Sequence, residues 1–287
     1  MHNRTNTVHN SCRVIVPPQL ALLPLVRNFM YGGFDSLNVH LPASADPQLV
    51  IYLSGEGILL RDKGQTNKLP LAFVTGPLLA PRRFRVAPGS FFISATFRPS
   101  GFLRCFGIPV NFLGPDAVPL EDLLPPLDVV PLLERLHEAK HIQNLVETLE
   151  AFLLQKRMLR EREPPFLPAM PVERLLQPTS ELAAHLELST RQLERRFLMH
   201  HGVPLRDYRR LARFSIVLPM LMGSQPATSM LSAAALEAGY VDQPHFTRDF
   251  RQFVGDTPAS FLRRRFDSES GYGFWQFNKK ELQAFVS

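Results

Sequence analysis

Two stretches of this sequence repeat one arrangement of side chains: STRQLERRFLMHHG at 189–202 and DQPHFTRDFRQFVG at 242–255, a fixed 53 positions apart. Each opens on a residue suited to cap a helix (Ser189, Asp242), sets two apolar anchors four apart (Leu193 and Phe197, Phe246 and Phe250) and closes on a glycine (Gly202, Gly255). With the anchors turned inward, helical geometry brings Thr190, Arg191, Glu194 and Arg195 to the outer face of the first segment. The matching face of the second carries Gln243, Pro244, His245, Thr247, Arg248 and Arg251. Arginine and glutamine pair with base edges, glutamate accepts from the cytosine amino group, and threonine meets the thymine methyl. A single face of this kind is usually a solvated helix surface. Its duplication, each time in the same local setting, favours contact with DNA bases.

That setting is a short helix, a tight turn and a second helix. Before the first copy, TSELAAHLELS offers Thr179 or Ser180 as a cap, Leu182, Ala183 and Leu186 as an inward face, and a turn at 187–189. Before the second, SMLSAAALEAGYVD offers Ala233, Ala234 and Leu236 as the packing face and Gly239 at the turn. Gly239 stands one residue farther from Phe246 than Glu187 does from Leu193, so the two turns are similar and not identical. This is the helix-turn-helix plan, whose second helix enters the DNA major groove. Between the copies, VPLRDYRRLARFSIVLPML reads as one helix of about 17 residues, roughly 25 Å long at 1.5 Å per residue. A connector of that length holds two reading helices about one DNA turn apart, on the order of 34 Å. One chain would then supply both half-site readers.

The rest of the chain is organised around this unit. Residues 46–100 are rich in Val, Ile and Phe and are interrupted by turn-like RDKGQT, APRR and APG, the pattern of a small β-sandwich or open barrel. From about Pro125 the apolar spacing becomes helical and predicts two amphipathic helices. EREPPFLPAMP at 161–171 carries four prolines and marks a stiff linker. The fold class expected is α+β: a β-rich, sensor-like N-terminal domain over 1–163, a Pro-rich linker at 164–171, and an all-α C-terminal domain at 172–266 with two helix-turn-helix units. The tail at 267–287 has no clear period, and the sequence leaves open whether it docks.

Composition fits this reading. The 287 residues allow two domains, each with its own core. Hydrophobic content of 45% with 20% charged residues is that of a soluble globular protein, and no apolar run approaches the roughly 18 residues of a membrane span. The start, MHNRTNTVHNSCRVIV, lacks the apolar stretch of a secretory signal, so a cytoplasmic location is expected. Cys12 and Cys105 lie far apart and read as reduced thiols. Net charge is +6, and between Arg157 and Asn278 there is no lysine. Arginine's planar fork suits phosphates and guanine edges, although a genome rich in G and C would give the same bias.

Enzymatic chemistry finds little support. His40 is the only histidine between His9 and His137, so a β-barrel front end lacks a cupin-type metal set. No phosphate loop, G-x-S-x-G elbow or H-E-x-x-H helix occurs. His200 and His201 are adjacent, point about 100° apart on a helix and read as a solvent-facing helix end. Cys105, in FLRCFG, lacks neighbours that would activate a thiolate. No catalytic residue, cofactor or metal is expected.

LAAHLELSTRQLERRF, GVPLRDYRRLARF and LEAGYVDQPHFTRDFRQFVGDTPASFLRR together resemble the DNA-binding domain of AraC/XylS-type transcription regulators over about a hundred residues. The ordered run AGY, D-Q-x-H-F-x-R-x-F-R and G-x-T-P-x-x-F is its most specific part. The resemblance implies some seven helices, with base-reading positions on Arg191, Glu194 and Arg195 in the first helix and on Gln243, His245 and Arg248 in the second. It implies double-stranded DNA as the partner, with RNA polymerase and an unidentified small-molecule effector beside it, no membrane, and activation rather than repression. Whether the chain is a monomer or a homodimer stays open. A helix opened by Thr257 and Pro258 would aim its amides at a phosphate, and Arg263 to Arg265 would add backbone charge. Glu187 stands where the family usually has glycine, an expected strain of about 1 kcal/mol in a left-handed turn. Pro219 is expected to kink or end the connecting helix. LPASADPQLVIYLSGEG, FVTGP, FRVAPGS and FRPSGFLRCFG are similar to a β-rich domain that precedes the AraC-type unit in a subset of the family, which implies sensing or dimerisation. The remaining alternative is a protein-interaction adaptor that kept the helix-turn-helix fold without base reading.

Overall fold

A computed structural model describes residues 13–34, 38–61, 64–114, 116–158, 172–222, 233, 235–265, 267 and 270–272. The N-terminal half is built from β1 (Arg13–Val16), β2 (Val26–Gly33), β3 (Asn38–Leu41), β4 (Gln48–Ser54), β5 (Gly57–Leu60), β6 (Thr66–Lys68), β7 (Ala72–Thr75), β8 (Arg82–Val86), β9 (Phe91–Phe97) and β10 (Val118–Pro119). They form two antiparallel sheets, one ordered β1-β2-β9-β4-β7-β10 and the other β3-β8-β5-β6. The expected sandwich is therefore present, and it begins earlier than the Val- and Ile-rich run suggested.

Alternation along the central strands divides the larger sheet's two faces. Leu49 and Ile51 of β4 and Ile93, Ala95 and Phe97 of β9 pack into one core with α1 (Gly101–Phe106), α3 (Pro126–Glu138) and α4 (Ile142–Met158), while α2 (Leu120–Leu123) closes its edge with Leu120. The intervening Val50, Tyr52, Phe92 and Ser94 face the second sheet across an apolar cavity. The two helices predicted after Pro125 are α3 and α4. Cys105 is a free thiol buried in the helix-covered core, and burial raises its pKa to about 12. Cys12 and the proline-rich 164–171 lie outside the described residues.

The C-terminal half is helical: α5 (Val172–Leu175), α6 (Thr179–His185), α7 (Thr190–His201), α8 (Leu205–Met222), a turn of helix at 235–237, α9 (Gln243–Val254) and α10 (Pro258–Arg264). Leu182, Ala183, Leu193, Phe197 and Tyr208 make the core of the first helix-turn-helix unit. Phe214, Val217, Ala235, Ala238, Phe246, Phe250 and Phe261 make that of the second, which is continuous with the cavity side of the β-domain. Helix α8 runs through Pro219 and does not end there. Its 18 residues span about 27 Å.

Candidate nucleic-acid interface

Both candidate reading helices begin as their sequences require. Ser189 caps α7: its hydroxyl accepts from the Gln192 amide at 3.3 Å, and the Gln192 side chain accepts from the Ser189 amide at 2.9 Å, a reciprocal capping box. Asp242 caps α9 by accepting from the His245 amide at 2.7 Å. The turns before them share one hydrogen-bond pattern. Glu187 and Leu188 donate to Ala184 and Ala183, as Gly239 and Tyr240 donate to Leu236 and Ala235. This is a Schellman closure with a left-handed residue, Glu187 at φ 56° and Gly239 at φ 83°. One residue separates Glu187 from its cap, and two separate Gly239 from Asp242. That difference accounts for the offset in anchor spacing, and the strained Glu187 is as expected.

The reading faces are open. Arg191, Glu194 and Arg195 on α7 and Gln243 and Arg248 on α9 are exposed, while His245 is half-buried with its ring edge-on to Tyr240 at 5.2 Å. Gln243, Pro244, Thr247, Arg248 and Arg251 line one shallow concavity on α9. Five of the six residues expected to read bases thus lie exposed on the two second helices, and His245 lies half-buried against Tyr240. Their anchors Leu193, Phe197, Phe246 and Phe250 are buried.

Other arginines serve the fold. Arg210 of α8 clamps α9 through Asp249, Nη2 to Oδ1 at 2.7 Å, and through Gln252 at 2.6 Å; Asp249 is 2% exposed. Arg209 ties α8 to the Leu175 carbonyl and the Thr179 hydroxyl. Arg213 lies over the Tyr240 ring at 5.7 Å. Sequence reasoning missed this set. The available signal was their place in the connector beside the apolar Leu211 and Phe214, with Arg210 one helical turn before Phe214.

Several local expectations are corrected. Pro178 takes the cap position of α6, which leaves Thr179 and Ser180 inside the first turn. Ala235 and Ala238 pack the helix before the second turn, whereas Ala233 and Leu236 are exposed. Arg265 is buried and donates to the Leu221 carbonyl, so it adds no charge to the surface. At α10, Thr257 caps by accepting from Ser260, and the Asp256 carboxylate accepts from the Thr257 amide at 2.8 Å and the Ser260 hydroxyl at 3.0 Å. A carboxylate therefore already engages the end expected to face a phosphate.

The end of α7 does not face solvent. His201 is 2% exposed and stacks on Phe197 at 4.0 Å, and burial lowers its pKa to about 3. Half-buried His200 meets the Ser100 hydroxyl of the β-domain at 3.0 Å, and burial lowers its pKa to about 4. Gly202, at φ 71°, closes so tightly on the β-domain that an added Cβ would stand 2.7 Å from Val110. At the end of α9, the Phe253 carbonyl accepts from the Ala43 amide at 2.8 Å. The tail docks in part: the Gly271 carbonyl accepts from the His40 amide at 3.0 Å, and Tyr272 packs its ring 4.6 Å from the imidazole. Burial lowers the pKa of His40 to about 4.

The cavity between the sheets is lined chiefly by Met30, Val50, Leu59, Phe73, Phe84 and Phe92, with Ser44, Asp46, Gln48 and Thr75 among its polar lining. Among the described residues, no group of three His, Cys, Asp or Glu side chains could hold a metal, and no helix is long and apolar enough to cross a membrane.

Residues 182–264 match the family model of a helix-turn-helix domain, which bears out the AraC-type assignment of the two repeated units. No curated protein matches the chain. Among solved structures, ToxT from Vibrio cholerae is similar over 82% of this chain and 98% of its own, at 12% identity and a TM-score of 0.42. ToxT from strain SCE256 of that organism, with unsaturated fatty acid bound, is similar over 82% and 94%, at 12% identity and 0.42. The AraC-like transcriptional activator CuxR is similar over 71% of this chain and 85% of its own, at 16% identity and 0.26.

Proposed function

We propose that the AraC-type helix-turn-helix domain makes this chain a sequence-specific regulator of transcription that inserts α7 and α9 into successive major grooves of a DNA duplex. The observation that carries the reading is that both second helices expose base-competent side chains while their C-terminal ends are docked on the β-domain. The protein acts as a cytoplasmic, non-enzymatic activator, with RNA polymerase as its further partner. The cavity of the β-domain takes a small, largely apolar effector. Arg191, Glu194, Arg195, Gln243, His245 and Arg248 read bases.

An adaptor without base reading would draw on Glu187, Pro219 and the apolar connector. Against it, α8 is continuous through Pro219, and its apolar residues Leu211, Phe214, Val217 and Leu221 are buried rather than offered to a partner. The two readings separate in a titration of the full chain against duplexes at several salt concentrations. A base-reading regulator binds its selected site at least about a thousandfold more tightly than random duplex, and its affinity falls steeply with salt. Equal affinity for both duplexes would reject the proposal.

A further inference from the structure

Between the cavity and the two reading helices runs a narrow strip of chain that belongs to both. Residues 42–46 and 76–82 meet at an antiparallel bridge, Ser44 with Leu78, closed by backbone hydrogen bonds of 3.0 and 2.8 Å. Extended backbone sends successive side chains to opposite faces. On one face, Ser44, Asp46 and Leu78 line the cavity. On the other, Ala45 and Leu79 pack against the core of the first helix-turn-helix unit. The Ala43 amide donates to Phe253 at the end of α9, Pro77 lies 3.1 Å from a Cβ placed on Gly202 after α7, and Pro81 lies 3.2 Å from one placed on Gly255 after α9.

Each reading helix therefore has its own seat on the strip. A second link serves the first helix. Asp46 pairs with Arg27 at 2.9 Å, and its carboxylate adds to the effect of burial in raising the pKa of the Tyr208 hydroxyl, while Arg27 acts against it. The Tyr208 ring in turn packs edge-on to Phe197, the inner anchor of α7, at 5.2 Å.

We propose that the 42–46/76–82 strip couples the cavity to the reading helices, so that an occupant pressing on its inner face re-seats the ends of α7 and α9. This rests on the reading of the chain as an effector-responsive DNA-binding regulator. Packed interiors pass a displacement on rather than absorb it, and a ligand shifts an equilibrium only through contacts that differ between two states. The strip supplies such contacts, because its inner side chains touch the occupant and its outer ones touch the helices.

The test fills the cavity from two sides in the full chain. Leu78→Phe places an aromatic ring on the strip's inner face. Leu59→Phe adds the same ring from β5, which lies between β8 and β6 in the second sheet. Amide hydrogen exchange at the last turns of α7 and α9 is the readout. A change of threefold or more in Leu78→Phe, with Leu59→Phe matching wild type, is the expected result. Equal changes in both variants, or none in Leu78→Phe, would overturn the coupling. Where Leu78→Phe fails to fold, Ser44→Leu on the facing side of the bridge gives the same reading. Duplex titration of the same proteins separates the two claims: a wild-type chain that binds no DNA sinks the regulator reading, while the exchange comparison still judges the strip.

Discussion

Glu187 holds a left-handed backbone at φ 56°, the conformation its counterpart Gly239 adopts without a Cβ penalty. Glu187→Gly should therefore stabilise the protein by about 1 kcal/mol, read as a rise in denaturant midpoint at unchanged slope. A midpoint that stays or falls would mean that the exposed glutamate makes a compensating contact. The buried histidines set an acid limit. His201 and His40 are held neutral, with pKa values of about 3 and 4 against 6.5 in the open chain. The unfolded chain thus binds more protons between those values, so their contribution is complete above pH 6.5 and is lost as pH falls. The slope is about 1.4 kcal/mol per pH unit for each group. Melting temperature should drop between pH 7 and 5, and His201→Phe, which keeps a ring on Phe197, should drop less. Identical pH profiles would show that His201 is not buried neutral. The sequence hid this: adjacent histidines at a helix end look like a solvated terminus until another domain covers them.

At the scale of elements, most of the helical half was legible because its signals are local. Caps at Ser189 and Asp242, anchors at four-residue spacing and closing glycines fixed α7 and α9, and with them all six candidate reading residues. Packing partners across elements were not legible. Phase before the second turn was misjudged, since a run of alanines offers several equivalent faces, and Ala235 and Ala238 are the buried ones. Pro219 costs α8 one backbone hydrogen bond, but the burial of Val217, Leu218 and Leu221 around it outweighs that loss. A central joint is Phe250, whose ring meets Phe214, Phe246 and Phe261 at 5.6 to 5.8 Å. Phe250→Ala should destabilise by about 3–5 kcal/mol, and a variant that melts like wild type would reject this packing.

Across the whole molecule, the two halves share a core: α8 and α9 bury Phe214, Phe246 and Phe253 in the same cluster as Val39, Tyr52 and Phe92 of the sheets. The sequence announced two domains through a proline-rich linker and gave no sign of this union, because residues far apart in the chain create it. The consequence is that the β-domain holds α7 and α9 by their C-terminal ends and leaves their outer faces open. The central claim is that one chain reads two half-sites. It is tested most directly by selecting bound duplexes from a random pool with the full wild-type chain, Arg195→Ala and Arg248→Ala. The account predicts two enriched boxes about ten base pairs apart for wild type. Each variant should lose preference at one box only, at a cost of about 1–3 kcal/mol. A single box, or a uniform loss at both boxes from either substitution, would contradict it.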